Sequence, residues 1–326
     1  MLYTMDVSEE ELTFVVQGPV LIKEGKNLAS LCLESIRLNF PKSRIIFSTH
    51  KGMPTEGLQF DTLIVNETND VQIIENDRVG NTMTMNLQAS STISGLAEVQ
   101  TEYAVKIRSD MEVKNRNILR LLANRTRRDL IPNLTLTDEL VIVLNWSTVN
   151  PTKYLKLPHH PSDHFFAGRT TDLKSIWNVP KYPLEFMRWF ESQPYPTGAQ
   201  HGDSLTRYRC ETWIWMNFIK NSLAEPLDSS YTFSEKILDE SIRFMFHNLE
   251  IVSARMAGVE SLKNAEPRIG SRAKMVTHLD WVYLARKNGV ETSLLRLDFD
   301  SIKVHFFRLF VDLFKRDDLI FPKPLS

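Results

Sequence analysis

Residues 102–112 read Glu102-Tyr103-Ala104-Val105-Lys106-Ile107-Arg108-Ser109-Asp110-Met111-Glu112, and this stretch decides the fold. An apolar run broken by cations at alternate positions is a strand that carries Lys106 and Arg108 on one face. Two cations on a buried strand call for an anion close by. Just past the strand stand Asp110 and Glu112, carboxylates one residue apart. Toward the N-terminus, Leu12-Thr13-Phe14-Val15-Val16 is a strand ending in Gln17-Gly18-Pro19. Arg44-Ile45-Ile46-Phe47-Ser48-Thr49, closed by Lys51-Gly52, is another, and Thr62-Leu63-Ile64-Val65 a third. Helices are expected over 27–39, stopped by Pro41, and over 81–99, where Gly95 is a weak point. Strands alternating with helices in this way predict an α/β domain with a parallel, nucleotide-binding sheet. Toward the C-terminus the pattern predicts strands at 140–144 and 164–168 and helices at 171–177, 183–191 and 211–221.

Composition narrows the partners. The 326 residues carry 39 basic and 40 acidic side chains, a formal charge of -1. There is no global cationic excess to hold a nucleic acid, so any phosphate must be gripped locally. Cys32 and Cys210 stand alone, without the spacing of a zinc site or a disulfide framework, which suits a reducing compartment. The start carries Asp6, Glu9, Glu10 and Glu11 where an export signal would be basic and then apolar. No apolar run reaches the roughly 18 residues that cross a bilayer. A soluble or peripheral protein is expected.

Ligands of open α/β sheets bind at the carboxyl edge, and hard oxygen ligands suit hard cations. Asp110 and Glu112 can therefore hold Mg2+ or Mn2+ bridging a diphosphate, or can equally be a solvated pair in a loop. Asp298-Phe299-Asp300 has a similar spacing but lies near the C-terminus, outside the strand and helix alternation. The run His159-His160-Pro161-Ser162-Asp163-His164 is the densest titratable cluster. Residues 302–314 interleave Val304, Phe306, Phe307, Leu309, Phe310, Val311 and Leu313 with Lys303 and Arg308. Such a segment either docks on the core or lies in an anionic bilayer surface.

An ordered series of short blocks resembles the WavE lipopolysaccharide synthesis family, bacterial glycosyltransferases grouped with the GT-A nucleotide-sugar fold. The blocks include Val16-Gln17-Gly18-Pro19, Ile45-Ile46-Phe47-Ser48-Thr49, Tyr103 to Asp110, His160 to Gly168 and the helix starting at Glu211, within residues 12–265. The resemblance implies a GT-A-like domain over 1–270 and a helical extension over 271–326, packed on the core or on a membrane surface. It implies a cytoplasmic enzyme, or one peripheral on the inner membrane. Its donor would be a nucleotide-diphosphate sugar, with a UDP-sugar leading, and its acceptor a saccharide or a lipid-linked saccharide. Gln17, Gly18, Pro19, Ser48, Thr49, Lys51, Lys106, Arg108 and Asp110 would then line the donor site. Asp110 and Glu112 would hold the metal, and Asp163 or Glu211 would be the catalytic base.

Other expectations stay open. A divalent-metal phosphoesterase would use His159, His160, Asp163 and His164, and a non-catalytic nucleotide-sugar-binding module would keep only the fold. A dehydrogenase is disfavoured, because no G-x-G-x-x-G follows the first strand.

Overall fold

The computed structural model describes residues 7–68, 74–76, 81–123, 127–196, 205–263, 267–292, 298–316 and 319–320. Its centre is a seven-stranded sheet. In chain order the strands are β1 (Leu12–Gln17), β2 (Arg44–His50), β3 (Thr62–Asn66), β4 (Tyr103–Arg108), β6 (Val141–Leu144), β7 (Phe165–Arg169) and β8 (Leu249–Val252), with a short β5 (Met111–Val113) outside it. Across the sheet they run β8-β6-β7-β4-β1-β2-β3. All neighbours are parallel except at β7, which is antiparallel to both β4 and β6. The first residues of β7 therefore lie at the same edge as the last residues of the other strands.

The alternation read from sequence sorts β4 as expected. Val105 and Ile107 face one apolar layer, which α1 (Leu28–Asn39) covers. Ala104 faces the other, covered by α2 (Met85–Ala97), α3 (Thr170–Ile176) and α4 (Cys210–Ile219). Asn27 starts α1 by accepting the Ser30 amide on its side-chain oxygen at 3.1 Å. Leu28, Cys32, Leu33 and Ile36 then bury one face, and each large side chain so buried contributes about 1.5–3 kcal/mol.

Two helices differ from expectation. The predicted 81–99 helix begins only at Met85. The predicted 183–191 helix breaks at Arg188 (φ -122°, ψ 29°) into Leu184–Met187 and Trp189–Ser192. Gly95 is not a tolerated weak point but a packing requirement. A Cβ there would sit 2.4 Å from Val15 Cγ1 and 3.2 Å from Ser48 Cβ, so glycine lets α2 lie close on the sheet.

The sequence pattern missed α5 (Glu235–Asn248) and β8, because the strand follows the helix with no turn residue between them. After residue 270 the chain returns to the same core. His278, the first residue of α6 (His278–Lys287), donates from Nδ1 to the Ile251 carbonyl at 3.0 Å. Trp281 donates to the Leu249 carbonyl at 2.7 Å. The last helix, α7 (Phe299–Phe314), is fastened by buried Arg308, whose guanidinium reaches both Asp280 oxygens (3.0 and 2.8 Å) and the carbonyls of Ala273 and Met275. Among the described residues no helix is long and apolar enough to cross a membrane.

Candidate active site

Two hollows open at the carboxyl edge. The larger, about 500 Å3, is lined by Gln17, Gly18, Pro19, His50, Lys51 and Lys263 among others. The smaller, about 190 Å3, is lined by Trp146, Ser147, His164 and Ser261 among others. Arg108 and Asp110 border both.

The floor of the larger hollow is built from backbone. Gly18 has φ +132°, and a Cβ there would lie 2.7 Å from Ser109 Oγ. Only glycine allows the turn after β1 to press against the turn after β4. Hydrogen bonds hold the two turns together: Ser109 donates from its amide to the Gln17 carbonyl (2.8 Å) and from Oγ to the Pro19 carbonyl (2.7 Å). Gln17 Oε1 and His50 Nδ1 are buried in this wall and have no hydrogen-bond partner among the described residues.

Ser48 and Thr49, expected here, lie beneath the wall instead. Ser48 Oγ accepts the Asn66 side-chain amide at 3.0 Å, and both residues are fully buried. It is the next residues along, His50 and Lys51, that reach the hollow. Lys106 is also displaced from its expected place. It is fully buried over the Trp177 ring, 4.7 Å from the centroid, and donates to the Asp163 carbonyl. Burial pushes its amine down to about 8, against the opposing pull of Asp163.

Arg108 does border the site, and its anion is Asp110. Nε and Nη2 bind the two carboxylate oxygens at 2.9 and 2.6 Å. Burial opposes the charge on Asp110, but these bonds and the Arg108 charge, helped by Lys263 and His164, hold its carboxyl below the ordinary range. Glu112 turns elsewhere: in β5 it is bonded by Lys114 at 3.1 Å and lies opposite Glu260. The expected Mn2+ or Mg2+ needs oxygen donors that converge. Here both Asp110 oxygens are engaged by Arg108, and Glu112 is not on the hollow. Among the described residues no group of three or more His, Cys, Asp or Glu side chains could hold a metal. The pair therefore does not fit the ion as a ready donor set.

The reversed strand β7 delivers the other side. Asp163 is buried, accepts the Gln88 side-chain amide at 2.7 Å, and has Oδ1 3.6 Å from His164 Nε2. Burial opposes its charge, yet His164, Lys106 and Arg108 hold its carboxyl low. Of these two neighbours it is His164 that borders the smaller hollow. Burial keeps the His164 ring below the ordinary histidine range, although Asp163 pulls the other way. Glu211, in the first turn of α4, is raised by burial and by the Asp163 charge. It sits 3.6 Å from Nε2 of His160, whose Nδ1 donates to the Ser147 carbonyl. Burial, with help from Arg209, holds His160 down to about 4, so the ring is neutral.

The histidine cluster does not converge on one point. His159 turns into the core beside Phe244, His160 faces Glu211, and His164 faces the hollow. This removes the ligand set expected for a phosphoesterase. Sequence reasoning missed Trp146, His50 and Gln88, and did not separate His164 from its neighbours. Trp146 had a usable signal, since it follows the apolar run 140–144 and so leaves a strand at the ligand-binding edge.

A mostly parallel sheet with one reversed strand, and a divided cleft at its carboxyl edge, defines a GT-A-like α/β protein. The family model for WavE lipopolysaccharide synthesis matches residues 12–314, and the chain belongs to that family. Its role is in lipopolysaccharide synthesis. No curated protein matches the chain significantly.

Proposed function

We propose that the chain is a glycosyltransferase that moves a sugar from a nucleotide-diphosphate donor in the larger hollow to a saccharide hydroxyl in the smaller one. The observation that carries this reading is the Arg108–Asp110 pair, which borders both hollows and has His164 on the smaller side. The larger volume, about 500 Å3, falls within the range of small-molecule sites. Lys51, Arg108 and Lys263 give it a cationic wall suited to a diphosphate. Trp146 gives the smaller hollow an aromatic face for a sugar ring.

In the transfer step the acceptor oxygen attacks the anomeric carbon. The bond from that carbon to the diphosphate oxygen breaks, and its electron pair leaves with the diphosphate. The hydroxyl proton passes to neutral His164, and the Asp163 carboxylate, 3.6 Å from Nε2, favours the charge the ring then carries. Asp163 is thus a positioning residue, and Glu211 lies one layer further back, against His160. This course inverts the anomeric centre. No step is assigned to a metal, because Asp110 and Glu112 do not converge as a donor set.

The test is a thermal-shift screen with UDP-, GDP-, CMP- and dTDP-sugars, with and without Mn2+, followed by transfer to a lipopolysaccharide core acceptor. Stabilisation by one nucleotide class, lost in Arg108→Ala, is expected. If no nucleotide sugar stabilises the chain, the proposal is wrong. A product that keeps the donor's anomeric configuration would remove the role given to His164.

A further inference from the structure

Ser147 lines the smaller hollow with φ +62°, a left-handed backbone that a serine keeps only where its neighbours hold it. The segment 160–162 does the holding. The His160 carbonyl accepts the Val149 amide at 3.0 Å, and the Ser162 amide donates to Thr148 Oγ1 at 2.9 Å. His160 also donates from Nδ1 to the Ser147 carbonyl itself, at 3.0 Å.

That last bond fixes the tautomer. A carbonyl only accepts, so the proton of the neutral ring is on Nδ1 and Nε2 is left with a lone pair. Nε2 is buried and has no hydrogen-bond partner among the described residues, and Glu211 Oε2 lies 3.6 Å from it. Two acceptors set against each other in a buried place repel unless one of them carries a proton. Burial and the Arg209 charge disfavour a second proton on the ring, which leaves the carboxyl to carry it. The other groups around Glu211 bear on the same proton. Burial and the Asp163 carboxylate raise the Glu211 value to about 7, while Arg209 and His164 pull the other way. Cys210, its neighbour in the chain, is kept a neutral thiol by burial. The 3.6 Å separation is just beyond hydrogen-bond length, and a small turn of the Glu211 side chain closes it.

We infer that Glu211 is a positioning residue that works as a carboxylic acid: it donates its proton to His160 Nε2, and the ring so held fixes the Ser147 carbonyl and with it the wall of the smaller hollow. The consequence for the acceptor rests on the transfer reading above, whereas the proton on Glu211 does not.

Two measurements on the full chain need no transfer activity. Infrared difference spectra between wild type and Glu211→Gln should show the carbonyl stretch of a protonated carboxylic acid, fading as the pH rises through about 7. Proton–nitrogen spectra, with His160→Gln as the assignment control, should show the His160 ring protonated on Nδ1 below that pH. In transfer assays the acceptor KM should rise by about tenfold above that pH while kcat and the donor KM stay level. Glu211→Gln, whose amide donates to Nε2 at every pH, should remove this rise, and Glu211→Ala should show the raised acceptor KM throughout. The inference is overturned if the carboxylic acid band is absent, if His160 carries its proton on Nε2, if Glu211→Gln abolishes turnover as the loss of a base would, or if it behaves as Glu211→Ala does. Should no transfer occur with any donor, the transfer reading fails, and the infrared and nitrogen signals still decide the proton on Glu211.

Discussion

The two halves of the cleft are made from the same sheet edge but from different materials. On the parallel side the wall consists of backbone turns and exposed or half-exposed cations, with one bidentate ion pair at its border. On the side of the reversed strand it consists of buried groups with displaced proton affinities, Asp163 held low and Glu211 raised. In the proposed transfer the difference separates two tasks. Fixed charge and glycine backbone bind a polyanion without changing protonation, while buried neighbours that shift one another suit proton transfer.

The sharpest way to break this division is His164→Ala. It should lower turnover by about 10²–10⁴-fold while the donor-induced thermal shift stays in place. The pH profile adds a sign. A base with lowered affinity keeps activity flat at neutral pH and loses it only below the ordinary histidine range. Because Asp163 raises the His164 value, Asp163→Asn should move that acid limb to lower pH still. A limb that moves up would reverse the assignment.

Arg108→Ala tests the opposite half. It should cost about 10²–10³-fold in turnover and, unlike the histidine variant, should also abolish the donor-induced shift. Chelation with EDTA should leave that shift in place. If EDTA abolishes it, Asp110 regains a metal-holding role and the cationic wall loses its sufficiency.

Lys106 bears on stability. Its amine releases its proton near pH 8 in the folded chain and near 10.5 when unfolded, so the unfolded state binds more protons in between. Stability should therefore rise with pH across that window, by on the order of 3 kcal/mol. Lys106→Met should lack this rise in denaturant titrations followed from pH 7 to pH 11. The smallest effect is expected at Glu112→Gln, which should change stability by no more than about 0.5 kcal/mol and leave turnover intact.

Much of the fold could be read from alternation alone. The strands at 12–16, 44–49 and 62–65 follow from short apolar runs, and the faces of β4 from the alternation of its cations with apolar residues, both local properties. What escaped depended on distance. Lys106 and Arg108 share a face and a chemistry, yet one lies under Trp177 and the other reaches past the strand's end to Asp110. Ser48 and Thr49 missed the cleft by a residue because Asn66, a neighbour only across the sheet, takes the Ser48 hydroxyl. Asp110 and Glu112, adjacent in spacing, were parted when Met111–Val113 paired as a strand with Val259–Ser261. Asp163 and Glu211 were legible as candidates, but only the folded chain brings His164 rather than either carboxylate to the hollow.

Because β7 runs backward, the connection over residues 145–164 leaves the sheet and returns to it at one rim, with Trp146 near its start and His164 at its end. Between those two anchors stand Ser147, which lines the smaller hollow, and Asp163, which accepts the side-chain amide of Gln88 on the larger one, so a single connection touches both hollows. A change of length in that connection would therefore be felt on both sides of the Arg108–Asp110 pair.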